Sequence, residues 1–240
     1  MITSAANPRL KLVRKLESRR HRRKLGLFVC EGEDLVEAAL AEGLEPVDAL
    51  VDADRPALTD RLPRAELVAG DLMAEISTLA HRARVVAVFR RADLKEATAV
   101  DAAVGVALWR VSDPGNLGTL LRAADALGPA FVALSPGCAD PTGPTALRAS
   151  AGAVFRVPLT RFHEAPRPRV ALVPGGGRPV WQLEVGERVT FVLGAEREGL
   201  PADVVARCDD VVAIPLTPAA DSLNVAMAGT IALYEWRRRR

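Results

Sequence analysis

Apolar residues along this chain fall into two spacings, which predict alternating strands and helices. Short runs of about four to eight apolar residues predict buried strands, and apolar residues three or four positions apart predict helices with one buried face. In the first part of the chain the predicted strands are 27–31, 47–51 and 85–89, and the predicted helices are 9–24, 31–41 and 71–79. This alternation indicates a small α/β layer domain.

The second part of the chain continues the alternation after a polar, alanine-rich stretch at 92–103. Strands are predicted at 104–111, 130–134, 170–173, 189–193 and 210–214, an extended segment at 154–158, and helices at 116–127, 142–150, 202–208 and 222–236. Strands that alternate with helices predict an α/β fold with a mostly parallel sheet. We therefore divide the chain into a small domain at 1–91, a linker at 92–103 and a larger domain at 104–240.

Composition narrows the possible classes of protein. Hydrophobic residues make up 49% of the chain and aromatic residues only 4%, so the core must rest on Val, Leu and Ala. No apolar run reaches the roughly 18 residues of a membrane span, and no apolar segment of a secretory signal follows the basic N-terminus. The three cysteines and three histidines are scattered, without the spacing of a disulfide framework or a metal site. We therefore expect a cytoplasmic protein without a metal.

The charge is distributed unevenly, although the net charge is only +2. Residues 1–24 hold nine Lys/Arg against one acid, a balance of +8, and residues 25–100 hold eight against fifteen, a balance of −7. A basic arm of this kind is typical of nucleic-acid contact, and the alternative is a solvated helix that packs on the small domain. The candidate RNA contacts in the arm are Arg14, Arg19, Arg20, Arg22 and Arg23.

Three polar segments follow predicted strands of the second domain. They are 113–118 (DPGNLG) with Arg122, 193–200 (LGAEREGL), and 214–216 (IPL) with 222–224 (SLN). An open parallel sheet binds its ligands at the carboxyl ends of its strands, which is where these segments are expected. Each segment alone also has an ordinary explanation as a turn, a glycine loop or a helix cap.

In this order the three segments resemble the motifs of TrmH-type (SpoU) RNA ribose methyltransferases of the SPOUT superfamily. The resemblance covers 105–240 closely, and the opening residues fit the L30e-like domain with which such enzymes hold RNA. It implies a C-terminal trefoil knot, S-adenosylmethionine as cofactor, an RNA substrate and a homodimer. Sequence rules alone would predict an unknotted sheet. No G-x-G-x-x-G motif follows the first strand, which argues against a Rossmann-type methyltransferase.

The resemblance also implies roles for individual residues. Asn116 and Arg122 would flank one pocket, and Arg122 would meet the target ribose or its phosphate. The catalytic candidates are Asn116, Arg122, Glu196, Ser222 and Asn224. The cofactor-binding candidates are Leu193, Gly194, Gly199, Ile214, Leu216 and Leu223. Arg148 is a further candidate for RNA contact, with a solvated helix-face arginine as the alternative.

Physical reasoning from single residues adds three expectations about this pocket. Gly194 has no Cβ, so the backbone there could approach a ligand closely. Ser222 is a suitable N-cap for the last helix. The unpaired N–H groups of that helix start suit the carboxylate of a cofactor or an RNA phosphate.

The implied reaction transfers a methyl group to a ribose 2′-hydroxyl. A guanidinium is hardly ever neutral, so we assign Arg122 an electrostatic and phosphate-orienting role. The proton of the hydroxyl would pass to a phosphate, to water or to Glu196, and the sequence does not choose among them. Ribosomal RNA is the favoured substrate. The alternative substrate is transfer RNA. The alternative function is that of a noncatalytic RNA-binding or ribosome-assembly protein. The sequence does not separate a housekeeping modification from one that protects the ribosome from an antibiotic.

Overall fold

The fold is seen in a computed structural model that describes residues 1–62, 64–95, 102–184 and 186–240. The helices of the described residues are α1 (Pro8–Leu16), α2 (Arg19–Leu25), α3 (Glu33–Ala41), α4 (Gly70–Ile76), α5 (Pro114–Leu127), α6 (Pro144–Ser150), α7 (Ala153–Arg156), α8 (Ala202–Val205) and α9 (Val225–Arg237). The strands are β1 (Leu27–Glu31), β2 (Asp48–Asp52), β3 (Ala65–Val68), β4 (Val85–Arg90), β5 (Val104–Leu108), β6 (Ala130–Leu134), β7 (Leu159–Arg161), β8 (Arg169–Val173), β9 (Arg178–Pro179), β10 (Val189–Leu193) and β11 (Asp210–Ala213). Residues 96–101 of the predicted linker lie outside the described residues.

The small domain is built on a four-stranded sheet in the order β1-β4-β2-β3. The β1–β4 and β4–β2 pairs are antiparallel, and the β2–β3 pair is parallel. The apolar stripe of α1, Leu10, Val13 and Leu16, is buried with the side chains of α4. Phe28 of β1 stacks on Phe155 of α7 with ring centroids 6.3 Å apart. One apolar core therefore continues from the small domain into the larger one.

The larger domain is a seven-stranded sheet in the order β7-β6-β5-β10-β8-β11-β9, in which every pair is parallel. All five residues of β5 and of β10 are buried, as expected for central strands with elements on both faces. The predicted α/β fold with a large parallel sheet is confirmed. The carboxyl ends of β5, β10, β8 and β11 are neighbours at one edge, which brings the polar segments together.

Two predicted elements were wrong. The single helix at 9–24 is two helices, because the chain is extended at Ser18 between α1 and α2. Of the segment 154–158, which was predicted to be extended, residues 154–156 belong to helix α7. The strand β7 begins only at Leu159. Ala153, Val154 and Phe155 are all buried. A short run in which every residue is apolar shows neither the helical nor the strand spacing, so the sequence cannot distinguish the two there.

Candidate active site

A cavity of about 310 Å³ lies at the carboxyl edge of the parallel sheet, where β8, β10 and β11 end. Its lining includes all six cofactor-binding candidates, namely Leu193, Gly194, Gly199, Ile214, Leu216 and Leu223. Glu196, Ser222 and Asn224 of the catalytic candidates also line it. Two clefts elsewhere, of about 530 and 760 Å³, are larger, but the polar motif residues converge only on this cavity within the described chain.

Three motif side chains form a hydrogen-bonded chain at the rim of this cavity. Asn224 donates through Nδ2 to Oδ1 of Asn116 at 2.9 Å, and Asn116 donates through Nδ2 to Oε1 of Glu196 at 3.1 Å. The backbone N–H groups of Ala226 and Met227 donate to Oδ1 of Asn224. Because Oδ1 of Asn224 accepts these two N–H groups, the orientation of its amide is fixed and Nδ2 faces Asn116. Each side chain therefore donates to the next one, and the carboxylate of Glu196 is the final acceptor.

Asp113 supports this chain of hydrogen bonds and is missing from the residues predicted for the site. Its carboxylate accepts from the backbone N–H of Asn116 at 2.7 Å and so caps α5. Its own N–H donates to Oε1 of Glu196 at 3.4 Å. The Asp-Pro pair at a helix start was the available signal, because Asp is a favoured N-cap and Pro a favoured first helical residue.

The last helix begins three residues later than predicted. Asn224, and not Ser222, caps α9, and Ser222 lies in the exposed segment before it. Asn224 already accepts the N–H groups of Ala226 and Met227. The expected anion site on free N–H donors at this helix start is therefore largely taken by the protein itself.

Gly194 is required by the fold of the cavity wall, while the predicted approach of its backbone to a ligand stays a prediction. A Cβ built on Gly194 would lie 2.1 Å from the carbonyl carbon of Gly199 and 2.4 Å from the amide nitrogen of Leu200. The loop folds back on itself there, and the N–H of Gly199 donates to the carbonyl of Ala195 at 2.9 Å. The close approach is thus between two parts of the cavity wall, and Gly199 supplies the left-handed turn with φ of 65°.

If the cavity holds the cofactor that the resemblance implies, Gly194→Val should lower the affinity for S-adenosylmethionine at least about tenfold, because the backbone at Gly199 cannot yield to a new side chain without moving the wall. Isothermal calorimetry measures the effect. Gly186→Val is the matched control, since a Cβ at Gly186 meets no atom within 4 Å. Equal affinities for both variants would show that the cofactor does not bind in this cavity.

Arg122 lies away from the cavity within one chain. It is exposed on α5 and, among the described residues, has neither a hydrogen-bond nor a salt-bridge partner for its side chain. Six residues along a helix correspond to about 600°, so Arg122 is rotated by about 120° from Asn116 around the axis. The expectation that the two side chains flank one pocket is not met within a single chain, and the catalytic role of Arg122 stays a prediction.

The RNA-contact candidates divide into exposed and occupied side chains. Arg19, Arg20 and Arg23 are exposed on α2. Arg14 pairs with Glu75, and Arg148 donates to Oγ1 of Thr78 at 2.9 Å while remaining exposed.

Arg22 was wrongly predicted to contact RNA. Its guanidinium pairs with Asp140 of the larger domain at 3.0 Å, and both side chains are only 5% exposed. It also donates to the carbonyls of Leu16 and Glu17. Arg91 holds the other carboxylate oxygen of Asp140 at 2.7 Å. Burial would raise the pKa of Asp140, but the hydrogen bonds from Arg91 and Thr142 outweigh it and hold that pKa below its usual value.

No helix in the described ranges is long and apolar enough to cross a membrane. Nor does the described part of the chain bring three or more His, Cys, Asp or Glu side chains together in a group that could hold a metal ion.

Comparison with known proteins identifies both domains. Residues 103–234 match the SpoU rRNA Methylase family, and residues 7–100 match the MRM3-like substrate binding domain. The chain is 34% identical to an uncharacterized tRNA/rRNA methyltransferase of Synechocystis sp., over 99% of this chain and 93% of that protein. It is 31% identical to the 23S rRNA (guanosine(2553)-2′-O)-methyltransferase RlmP of Bacillus subtilis, over 98% of each.

A solved structure agrees with these sequence matches. The AdoMet-bound rRNA methyltransferase from Sinorhizobium meliloti superposes with a TM-score of 0.87 at 29% identity, over 99% of this chain and 97% of that one. The resemblance drawn from the three motifs is confirmed, while the domain boundaries and the knot stay predictions. The chain is an RNA methyltransferase and belongs to the SpoU rRNA methylase family.

Proposed function

We propose that this protein transfers a methyl group from S-adenosylmethionine to a ribose 2′-hydroxyl of ribosomal RNA. The observation that carries the proposal is the hydrogen-bonded chain Asn224–Asn116–Glu196 at the rim of the cavity. The relative RlmP, named as a 23S rRNA 2′-O-methyltransferase, and the AdoMet-bound structure support it. A ribosomal substrate implies that the protein works in the cytoplasm.

The cavity fits the proposed cofactor in size and in chemistry. A volume of about 310 Å³ lies at the lower end of the roughly 300–1,000 Å³ of small-molecule pockets. Ile214, Leu216 and Leu223 offer apolar surface for an adenine, and the loop after β10 offers backbone polar groups. The cofactor supplies a methyl group made reactive by a sulfonium, so no metal is needed.

The protein then has mainly to align the hydroxyl, and alignment can supply roughly 7–11 kcal/mol of effective concentration. Glu196 is the only acid among the described residues of the cavity lining. Because Asn116 and the backbone of Asp113 hold Oε1, the carboxylate is fixed at the rim, where it can accept a hydrogen bond from the attacking hydroxyl. Arg122 would stabilise the charge that develops on the ribose and its phosphate.

The protein is further proposed to act as a homodimer that pairs through α9. Met227 and Tyr234 lie about two helical turns apart on one face and are 61% and 55% exposed, and Leu223 continues this apolar strip to the cavity. The helix α5 packs against α9, where Leu120 contacts Gly229, so an interface on the strip would lie close to the cavity and to α5.

Met227→Arg should convert the dimer to a monomer and reduce methyl transfer, because it places a charge in an apolar interface. Light scattering at micromolar concentration measures the oligomeric state. Leu25→Arg is the control, since Leu25 is also an exposed apolar residue but lies in the small domain. A wild-type protein that is monomeric and fully active would contradict the proposed dimer.

The reaction itself is tested with methyl-deuterated S-adenosylmethionine, purified protein, and ribosomal and transfer RNA from cells that lack the protein. After digestion, mass spectrometry locates the label, which is expected on a ribose 2′-oxygen of ribosomal RNA. Label on a base would overturn the ribose assignment, and label only in transfer RNA would overturn the substrate. RNA binding without any label would support the noncatalytic alternative.

A further inference from the structure

A basic cleft of about 760 Å³ lies between α2 of the small domain and the carboxyl edge of β6 and β7. Arg19 and Arg23 line it from the side of the small domain, and Arg161 at the end of β7 lines it from the other side. The loop from Leu134 to Asp140 forms part of the same lining. The cleft is therefore built by both domains and lies at the edge of the sheet that also holds the cavity.

Positive charge in the cleft exceeds the negative charge available to balance it. Its described lining holds five Lys/Arg, namely Arg19, Arg23, Arg91, Lys95 and Arg161, and two acids, Asp140 and Glu164. Asp140 is committed to Arg22 and Arg91, and Lys95 pairs with Glu42 outside the lining. Glu164 lies 3.8 Å from Arg161, but this pair is exposed and such pairs are weak, so the Arg161 side chain is available to an anion.

Arg19 and Arg23 have no carboxylate within salt-bridge distance in the described part of the chain, and they lie four residues apart on α2. Like charges at this spacing repel each other and destabilise a helix. Two guanidinium groups held side by side over a cleft, without a counter-charge from the described residues, are a suitable arrangement for the phosphates of a polyanion.

The buried pair between Arg22 and Asp140 fixes the position of the helix that carries these two arginines. Arg22 lies between Arg19 and Arg23 in sequence and anchors α2 to the loop after β6. Buried ion pairs contribute little net stability but hold groups in a defined geometry. The cleft is thus a fixed feature of the domain arrangement.

Arg110 connects the cleft to the active-site edge. It follows β5, the strand between β6 and β10, and its N–H donates to Oγ of Ser135 in the cleft lining at 2.8 Å. Its backbone is left-handed, with φ of 54°, and its side chain lies over Gly137. Arg110 precedes Asp113, the residue that caps α5, by three positions. With strands about 4.8 Å apart, the path from β7 to the gap between β5 and β10 measures roughly 10–15 Å.

We propose that an unpaired segment of the RNA substrate reaches the active site through this cleft. Arg19, Arg23 and Arg161 would bind its phosphates, and Arg110 would guide the strand toward Glu196. The inference rests on the proposed function and adds to it a direction of approach and two residues of the larger domain, Arg110 and Arg161. Unpaired RNA fits because proteins recognise RNA sequence mostly in loops and single strands.

The test compares Arg19→Gln/Arg23→Gln/Arg161→Gln with Arg20→Gln/Lys24→Gln. Arg20 and Lys24 have the same spacing on α2 but lie outside the cleft lining. For the triple variant the Kd of an RNA fragment should rise at least about tenfold. The slope of log K against log salt should become shallower by about 2, because each of the three lost phosphate contacts to a single strand contributes about 0.7. The Arg20/Lys24 variant should change the slope by less than half as much. Equal slope changes per charge removed would overturn the cleft and leave a diffuse basic arm.

Photo-crosslinking of RNA that carries 4-thiouridine near the target separates the remaining outcomes. Crosslinks to residues 134–141 and 159–161 are expected in the wild-type protein. Labelled methyl transfer together with crosslinks only elsewhere would overturn the cleft but not the proposed function. A wild-type protein that methylates no RNA would instead overturn the proposed function. Cleft variants that bind RNA normally but lose binding of an acidic protein would assign the cleft to a protein partner.

Discussion

Arg122→Ala should lower the rate of methyl transfer by about 10²–10³, as does removal of a single oxyanion-stabilising donor. The affinity for S-adenosylmethionine should stay close to wild type, because Arg122 is absent from the cavity lining. Its side chain is exposed and carries no salt bridge within the described chain, so it is available to the RNA. Arg122→Lys should restore little activity, since an ammonium lacks the planar fork that binds a phosphate through two hydrogen bonds.

Single-turnover assays at saturating cofactor and RNA isolate the chemical step from binding. Thr119→Ala is the control, because Thr119 is exposed about one turn earlier on α5. Asn116→Ala should act on the same step less severely, by releasing Glu196 from Asn224. If Arg122→Ala transfers methyl groups at the wild-type rate under these conditions, Arg122 has no catalytic role.

Mixed dimers of two inactive variants show whether Arg122 acts in the cavity of its own chain or in the cavity of the partner subunit. The side chain of Arg122 is exposed and absent from the cavity lining of its own chain, and the apolar strip of α9 lies on the neighbouring helix. If the partner subunit's Arg122 completes each site, mixed dimers of Arg122→Ala and Glu196→Ala contain one intact site and recover activity. If Arg122 serves its own chain, the mixture stays inactive.

The central strands could be predicted from the sequence because they are buried on both faces. Strands β6 and β10 have the predicted bounds, 130–134 and 189–193. Strand β6 is a continuous apolar run that follows Gly128 and Pro129, and β10 is apolar apart from Thr190 and is followed by Gly194. The cofactor-binding candidates surround one cavity for the same reason: parallel strands end at one edge, so the residues after them must meet. Neither inference needed contacts between distant residues.

The remaining features depend on contacts that no local pattern contains. Arg22 is one of several arginines in a basic run, and only Asp140, 118 positions away, determines that it is buried. The capping residue of α9 is Asn224 and not Ser222, because Asn224 is also held by Asn116, 108 positions away. The restriction at Gly194 comes from Gly199 folding back on it. In each case the residue type fitted several roles and tertiary packing selected one.

The buried pair also changes how the basic arm has to be tested. Deleting residues 1–24 would remove Leu10, Val13 and Leu16 from the core and leave Asp140 buried without Arg22. Loss of RNA binding after that deletion would then report unfolding, so substitutions of exposed arginines are the informative change.

Arg22→Ala should lower the free energy of unfolding by about 1.5–3 kcal/mol, because it removes buried hydrogen bonds to a charged group while Asp140 keeps its pair with Arg91. Denaturant unfolding followed by circular dichroism measures the loss. Arg207→Ala is the control, since the Arg207–Asp203 pair is exposed on both sides and such pairs contribute at most about 1 kcal/mol. Replacing the pair by Arg22→Met/Asp140→Leu should recover part of the stability, because apolar side chains can fill the space without a buried charge. A loss as small as that of the control would show that the pair is hydrated.

The stability that Asp140 contributes should also depend on pH. Its pKa is lowered in the folded protein, since hydrogen bonds from Arg91 and Thr142 outweigh the burial that would raise it. The contribution is therefore fully present above the ordinary value of 3.8 and is lost as the pH falls through the lower folded-state value. Asp140→Asn lacks this ionisation, so its stability deficit relative to wild type should be largest near neutral pH and should shrink below about pH 3.8. If the free energies of unfolding of the wild type and of Asp140→Asn differ by the same amount at every pH down to about 2, these contacts do not hold the carboxylate of Asp140 in its charged form.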